Sequence, residues 1–461
     1  MSSAQPWRRP RHELLLLVLV GLVAFAPLYD GETQDVTRLC LSTALVHRHL
    51  GIEPCAGDTY DRATFGGRTY TDKAPGLSVL AVPAVEATRL RSPGRYDSGF
   101  VDVRLWLVRL LSSGVAFLVL VWLVGRVSES MRPGYGAAAA ATFATGTLVA
   151  PLAVTSFDHV AAAAFAFGAF AFAWRRHPML AGLAAGCASA TNYTTALVGL
   201  VLAAYVLADG VRRLAWYALG AVTPLALIGA YDRAAFGSPF HLSYRYVANA
   251  NAADQASGFF GIHGPRLHAI HEVFAGDRGL LATSPVLLAA AVGLVLLART
   301  HRREAVVCGA AVGVYLVVAC GYFAPYGGIS PGPRFFVPAL PFLGLGLAPA
   351  FARFRIATAV LAVMSAIATT AVLLTWPKVP DESPYRGAVW GELGRLVTQG
   401  SHARIVFLLE RSAWSWAGLD RGGAALLVAA SAAAALVVGL RTLPTRYLEH
   451  PGGAGGDARA S

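Results

Sequence analysis

The stretch 305–323, AVVCGAAVGVYLVVACGYF, carries no charged side chain and directly follows Arg302, Arg303 and Glu304. As a helix that rises about 1.5 Å per residue, it is nearly as long as the hydrocarbon core of a bilayer is thick, about 30 Å. Its apolar residues are continuous, and Ala, Gly, Leu and Val dominate it, which favours a helix over a barrel strand. The stretch therefore predicts a transmembrane α-helix.

Similar runs recur along all 461 residues, of which 56% are hydrophobic and only 14% charged. A soluble chain of this size needs more polar residues than this to cover its surface. The sequence therefore predicts an all-α integral membrane protein with about 12 transmembrane helices and external loops that carry interfacial helices. The predicted spans are 14–28, 103–124, 136–153, 158–174, 178–190, 195–208, 214–231, 284–298, 305–323, 335–350, 356–376 and 424–440.

One set of connections is short throughout and carries clusters of arginine, and it alternates with the remaining connections along the chain. Because basic loops stay on the cytoplasmic side, this pattern predicts that both termini are cytoplasmic. The first apolar run has no convincing cleavage site, so we predict a retained span and not a signal peptide. The net charge of +12 is then a topology signal, which argues against nucleic-acid binding.

The opposite set of connections includes three long ones, 29–102, 232–283 and 377–423. They hold most of the acidic and histidine residues, and functional sites are commonly built on such loops. We therefore predict that the external face of the membrane is the working face. The chain is expected to form one polytopic domain over 1–450, followed by a disordered cytoplasmic tail, 451–461.

Three carboxylates, Asp30, Glu32 and Asp35, follow the first predicted span. The chain from Arg38 to Leu50 then predicts an amphipathic interfacial helix with its leucines toward lipid. Asp35 near the start of this helix either caps it or accepts a proton from an incoming hydroxyl as a general base. The residues alone leave both interpretations open, and Glu32 and Asp30 are further candidates for the base.

Lysine is nearly absent from this chain, which has 38 basic residues but only two lysines, Lys73 and Lys378. Lys73 follows Asp72 and precedes a Pro75-Gly76 turn back toward an apolar segment. A compact ammonium group suits a phosphate at the headgroup level of the membrane. The alternative is an interfacial anchor that reaches up to water.

Other polar residues gather at the ends of predicted spans on the same face, where ionisable groups are often functional and otherwise form structural ion pairs. They include Asp158, His159, Asn192, Tyr244, Arg278 and Arg334. The sequence contains no glycine-rich nucleotide loop, no serine-hydrolase elbow and no convincing metal-ligand spacing. These patterns favour a reaction that uses an activated, membrane-borne donor and needs no metal, since Lys and Arg supply the positive charge.

Of the five cysteines, Cys187, Cys308 and Cys320 lie in apolar runs and are interpreted as packing residues. Cys40 and Cys55 share the first external loop. They can form a disulfide if that loop faces an oxidising compartment.

In several of its motifs the chain resembles integral membrane glycosyltransferases of the C-type (GT-C) superfamily. The bacterial group concerned is glycosyltransferase 39-like, and is related to protein O-mannosyltransferases and lipid A aminoarabinose transferases. The resemblance spans nearly the whole chain. The matching segments, each weak alone but ordered as in the family, are 35–38, 70–76, 158–159, 180–193, 278–285 and 327–335.

The resemblance implies transfer of a sugar from a polyprenyl-phosphate donor to a lipid, glycan or protein acceptor at the external face of a bacterial plasma membrane. For the mechanism we expect a single displacement that inverts the anomeric centre. An aspartate of the first loop acts as base in this family, and an Asp-Lys pair meets the donor phosphate. Carried over, Asp35 is the base and Lys73 the phosphate contact. Relatives often have an Asp-Glu pair where this chain has Gln34-Asp35, so Glu32 stays a second candidate. The further substrate-binding candidates are Asp72, Arg38, Asp158, His159, Arg278, Arg334 and Tyr70.

Two other kinds of function compete with this interpretation. A transporter or flippase for lipid-linked sugars places its ionisable site near the bilayer midplane, whereas the predicted spans here are nearly free of charge. A non-catalytic scaffold explains the long loops but not the Asp72-Lys73 turn. The catalytic interpretation predicts that Asp35→Asn and Lys73→Ala abolish activity, which a scaffold would tolerate.

Overall fold

The structure is a computed structural model, and it describes residues 10–25, 33–89, 103–328, 330–375, 390, 418 and 421–444. Among these residues the chain is almost entirely helical, and the strands form one two-stranded sheet. Some predictions lie outside the described residues: the roles of Asp30 and Glu32, the tail 451–461 and nearly all of the connection 377–423.

The helices are numbered here in chain order. The first ten are α1 (Pro10–Phe25), α2 (Thr33–Val46), α3 (Gly76–Thr88), α4 (Val103–Arg109), α5 (Val115–Met131), α6 (Gly136–Gly146), α7 (Val149–Ala153), α8 (His159–Trp174), α9 (Pro178–Thr191) and α10 (Ala196–Leu207). The others are α11 (Val211–Phe236), α12 (Ala252–Ala256), α13 (Leu267–Ala275), α14 (Leu280–Thr283), α15 (Val286–Leu297), α16 (Arg302–Gly321), α17 (Leu340–Gly344), α18 (Leu347–Arg353), α19 (Arg355–Thr375) and α20 (Arg421–Arg441).

Shorter elements complete the described chain. A π-helix, Leu110–Gly114, joins α4 to α5. The 3₁₀ helices are Glu53–Asp58, Tyr193–Thr195, Ser243–Tyr246 and Arg334–Ala339. The strands are β1 (Arg62–Phe65) and β2 (Arg68–Thr71).

Each predicted span overlaps a described helix, which confirms the helical membrane class. By length and composition, four described helices can cross a membrane alone, and two bent helix pairs bring that number to six. The pairs are Leu267–Thr283 with Val286–Leu297, bent by 93°, and Arg334–Gly344 with Leu347–Arg353, bent by 52°. Six shorter apolar helices accompany them. The count of about 12 spans and the single-domain organisation stay predictions.

Small residues bring the apolar helices close together, as is typical of helix packing in lipid. A Cβ atom on Gly293 of α15 would overlap the carbonyl oxygen of Gly346, at the start of α18. In the same way, a Cβ atom on Gly182 of α9 would overlap the carbonyl oxygen of Tyr217 on α11. These glycines therefore allow backbone contact between helices and give the site a closely packed scaffold.

Gly293→Ala is expected to destabilise the protein by about 1–3 kcal/mol, because the added methyl group forces α15 and α18 apart. The matched control is Gly309→Ala on α16, where a Cβ atom would meet nothing within 4 Å. The midpoint of thermal unfolding in detergent should fall for the first variant and stay or rise slightly for the second. Equal midpoints would contradict the proposed backbone contact.

The segment between α2 and α3 contains a β-hairpin. Gly66 and Gly67 at its tip both have positive φ, 58° and 77°, a conformation that glycine adopts without strain. The strands pair antiparallel, with Arg62 opposite Thr71. The hairpin therefore places the residue before β1 beside the residues after β2.

Helix α2 differs from its prediction in position and in surroundings. It begins at Thr33, not Arg38, and is buried from Gln34 to Ala44. Leu39 and Leu41 are 2% and 0% exposed, so the prediction that they face lipid is wrong. The reason is tertiary: α3, α4 and the segment around Cys55 cover the helix and bury its leucines.

A disulfide joins Cys40 of α2 to Cys55 of the first 3₁₀ helix, with Cα atoms 6.3 Å apart. The pairing that the sequence allowed is therefore present. Cys308 and Cys320 are buried free thiols, as expected of packing residues, and Cys187 is half-buried. The disulfide ties the segment that follows α2 back onto the helix, and so helps to fix the hairpin that comes next.

Candidate functional site

A cavity of about 240 Å³ lies where α2, the hairpin and the start of α8 meet the segments that follow α9, α11 and α16. Its titratable lining consists of Arg38, Asp72, Lys73, Asp158, His159 and Arg334. The aromatic lining consists of Tyr193, Tyr244, Phe259, Phe260, Tyr322 and Phe335. Three cations and two carboxylates in one largely buried cavity make it suited to an anionic ligand with an apolar part.

Arg38 forms a buried ion pair across the cavity wall. Its side chain is 2% exposed, and Nη2 lies 3.0 Å from Oδ2 of Asp158. Nη1 donates to the side-chain oxygen of Gln34 at 2.9 Å, one helical turn earlier on α2. Asn192 also donates to Oδ2 of Asp158, at 3.3 Å. These contacts lock α2, α8 and the end of α9 together around the cavity.

Lys73 lies between two carboxylates. Its Nζ donates to Oδ1 of Asp61 at 2.8 Å and to Oδ2 of Asp72 at 3.0 Å. Asp61 comes directly before β1 and Asp72 directly after β2, so the hairpin register brings them together. Ser243 fixes this end of the hairpin by donating to the backbone oxygen of Asp72 at 2.8 Å.

Burial raises the pKa of Asp72 to about 6, and the Asp61 carboxylate adds to this effect while Lys73 opposes it. Burial alone would lower the pKa of Lys73, but Asp61 and Asp72 outweigh it and raise that pKa above its ordinary value. Lys73 is therefore a permanent cation, whereas Asp72 can change its charge near neutral pH. Burial also raises the pKa of Tyr322 to about 12.

Arg334 and His159 complete the titratable lining. The Arg334 guanidinium stacks over the rings of Phe157 and Phe335, with centroid distances of 5.3 and 5.7 Å. Gly327, at φ 82°, lies so close to Arg334 that a Cβ atom there would be 2.8 Å from its Nε. His159 is 3% exposed, and its ring packs edge to face against the ring of Phe335, with centroids 5.7 Å apart.

Six predicted site residues thus line one cavity: Arg38, Asp72, Lys73, Asp158, His159 and Arg334. The cavity lining does not include Asp35, Arg278 or Tyr70. Tyr70 packs on Phe236, with ring centroids 5.2 Å apart. Arg278 stacks over the ring of Tyr326 at 4.4 Å and donates to the backbone oxygen of Ser330 at 3.0 Å.

Asp35 is buried in the first turn of α2, the helix whose residues Gln34 and Arg38 line the cavity. Its Oδ1 accepts a hydrogen bond of 2.7 Å from the backbone N–H of Ser156. Ser156 belongs to the turn that leads into Asp158 and His159, at the start of α8. The carboxylate thus holds this turn in place from behind the cavity wall.

Sequence reasoning missed Asp61 and the aromatic residues Phe259 and Phe260. Counting outward from the Gly66-Gly67 turn along both strands pairs Asp61 with Asp72, so the sequence did contain a signal that places Asp61 beside Lys73. The two phenylalanines come from a loop without regular periodicity, and no pattern in the sequence points to them. Within the described residues, no group of three His, Cys, Asp or Glu side chains is placed to hold a metal ion.

No protein-family model matches the sequence, and no curated protein matches it either. Solved structures do match. ArnT from Cupriavidus metallidurans in the apo state has a TM-score of 0.51 and 17% identity, over 93% of this chain and 76% of that chain. ArnT bound to undecaprenyl phosphate has a TM-score of 0.51 and 18% identity, over 94% and 76%. At these identities the similarity shows that the chain shares the fold of ArnT, which is the fold that the resemblance in the motifs implied.

Proposed function

We propose that this membrane protein, which shares the fold of ArnT, is a glycosyltransferase that moves a sugar from a polyprenyl-phosphate donor to an acceptor nucleophile. The observation that carries the proposal is the cavity in which Lys73, Arg38 and Arg334 meet beside an aromatic wall. Cations bind the phosphate group, and aromatic and apolar side chains suit a sugar ring or a prenyl chain. The similarity in fold to ArnT bound to undecaprenyl phosphate supports the same class of donor.

In the proposed reaction, the acceptor oxygen attacks the anomeric carbon from the side opposite the phosphate. The bond from that carbon to the phosphate oxygen breaks, and its electron pair leaves with the phosphate. Lys73 stabilises the developing charge in a poorly hydrated cavity, where such an interaction is strong. A single displacement inverts the anomeric centre, and a retained configuration in the product would rule this mechanism out.

We further propose that the cavity opens to the external side of a plasma membrane, with both termini in the cytoplasm. The alternation of basic connections supports this orientation. The Cys40–Cys55 disulfide supports it independently, because such bonds persist mainly in oxidising compartments. The acceptor is then a lipid, a glycan or a protein of the cell envelope.

The direct test is a transfer assay on the purified protein in lipid vesicles, with a radiolabelled polyprenyl-phosphate sugar and envelope extracts as acceptor. Glycosyl transfer with release of polyprenyl phosphate supports the proposal. Movement of the intact lipid-linked sugar across the vesicle, without cleavage, would assign the chain to the transporters instead. Native mass spectrometry on the same preparation should show the bound polyprenyl phosphate.

Donor binding is expected to strengthen as the pH falls through about 6. Asp72 has a raised pKa, so below that pH it is protonated and neither holds Lys73 nor repels the donor phosphate. The other charged groups that act on Asp72 are Asp61, Lys73 and Arg38, and the donor phosphodiester keeps its single charge. A pH titration of donor binding by wild type and Asp72→Asn checks this. The Asp72→Asn variant should bind the donor with the same affinity on both sides of pH 6. If the affinity of the variant depended on pH as that of the wild type does, the role of Asp72 would be contradicted.

A further inference from the structure

We propose that Nε2 of His159 accepts the proton of the acceptor nucleophile, with Asp158 orienting the ring and Asp35 positioning the turn that carries both. This inference rests on the proposed glycosyl transfer and names the group that completes it. It differs from the assignment of Asp35 as base that the sequence motifs imply.

The His159 side chain lines the cavity and is 3% exposed. Among the described residues, its Nε2 has no hydrogen-bond partner. A buried polar atom without a partner costs about 1–3 kcal/mol, so its presence in a cavity wall calls for a ligand. A nucleophile in the cavity would supply that missing partner.

Asp158 is arranged to orient this ring. Its Oδ1 lies 2.8 Å from Nδ1 of His159, an ion-pair distance, although the two atoms do not meet the geometry of a hydrogen bond in this structure. Catalytic hydrogen bonds often tighten only when the substrate is bound. Arg38 and Asn192 hold the other oxygen, so the carboxylate cannot turn away. A carboxylate behind an imidazole stabilises the imidazolium that forms when the ring takes up a proton.

The other carboxylates near the site are less suited to this step. Asp72 is hydrogen-bonded to Lys73, so it lies on the phosphate side, whereas an inverting attack needs its base on the opposite side. Asp35 does not line the cavity, and its Oδ1 is engaged by the backbone of Ser156. Among the described side chains that line the cavity, His159 is therefore the basic group that keeps an unpartnered ring nitrogen.

The proton balance of the step is simple. The O–H bond of the acceptor breaks, its proton moves to Nε2, and the oxygen bonds to the anomeric carbon. The imidazolium then releases the proton to water after the products leave. The charged groups that face His159 are Asp158, which directly precedes α8, Arg38 on α2 and Arg334 at the start of the 3₁₀ helix Arg334–Ala339.

The test compares turnover and donor binding in variants of His159 and Asp35. His159→Gln and His159→Ala should lower turnover by about 10²–10⁴-fold, the usual contribution of general base catalysis, with donor binding by native mass spectrometry unchanged. Added imidazole should restore part of the turnover of His159→Ala, which a structural role would not allow. The exposed His301, whose Nδ1 lies 3.0 Å from Oγ1 of Thr300, provides the control His301→Gln.

Asp35→Asn decides between the two candidate bases. Asparagine keeps a side-chain oxygen that can accept from the Ser156 N–H, so a positioning role predicts nearly full turnover for Asp35→Asn. Asp35→Ala removes this acceptor and should lose the turnover. Full turnover in His159→Gln together with an inactive, folded Asp35→Asn would overturn the inference. If the wild type binds donor and transfers sugar, the proposed function stands whatever the variants show. If it does neither, the proposed function fails and this inference with it.

Discussion

Lys73→Ala is expected to lower the rate of sugar transfer by about 10²–10³-fold, the effect of removing one preorganised group that stabilises developing charge. Lys73 holds Asp61 and Asp72 at 2.8 and 3.0 Å before any donor is present, and its raised pKa keeps it charged. Without it, the phosphate would meet two carboxylates. Native mass spectrometry should therefore show that the bound polyprenyl phosphate is lost together with the activity.

The variant also removes the ammonium group that faces two carboxylates, which can destabilise the hairpin by itself. The double variant Asp61→Asn/Lys73→Ala removes one of these charges and separates the two effects. It should unfold near the wild-type temperature and still fail to bind donor. Lys73→Arg keeps the charge and should retain part of the binding. Wild-type donor binding by the folded double variant would contradict the assignment of Lys73 to the phosphate.

Arg38→Met is expected to destabilise the protein by about 3–5 kcal/mol, because it leaves the Asp158 carboxylate buried without its ionic partner. The side chains of this pair are 2% and 3% exposed, and the pair links α2 to α8. Unfolding of the detergent-purified protein, followed by intrinsic fluorescence, measures the loss. Replacing both partners, as in Arg38→Met/Asp158→Asn, should recover much of the stability but not the activity.

A partly exposed ion pair on the surface provides the matched control. Arg213 and Asp209 form an ion pair at 3.0 Å, four residues apart, with the Arg213 side chain 35% exposed. Arg213→Met should cost no more than about 0.5 kcal/mol, since solvent screens such a pair. If both substitutions cost the same, the Arg38–Asp158 pair does not contribute as a buried ion pair.

The helical membrane architecture could be predicted because long apolar runs have a single physical solution in lipid. The predicted span 305–323 lies almost wholly in α16, which begins three residues earlier, at Arg302, and ends at Gly321. The predicted run 136–153 instead breaks into α6 and α7, with Thr147 and Leu148 between them. Such a break depends on tertiary packing, which hydropathy does not encode.

The candidate site could be predicted in part. The Asp72-Lys73 pair stood out because lysine is so scarce in this chain. The true environment of α2 could not be deduced, since its leucines look equally suited to lipid and to a protein core. The placement of Asp35 behind the wall depends on a hydrogen bond to Ser156, 121 residues away. No local pattern reports such a contact.

The two carboxylates around Lys73 bear on the end of the catalytic cycle as well as on its beginning. On the proposed function, each round exchanges one set of anionic partners for another around the same ammonium group. When the spent lipid carrier departs, Asp61 and Asp72 are in place to receive the cation again. A lysine without such neighbours would hold the discharged carrier tightly, since its alternative would be a bare charge in a poorly hydrated cavity. The acidic neighbours therefore favour rapid exchange of carriers over tight retention.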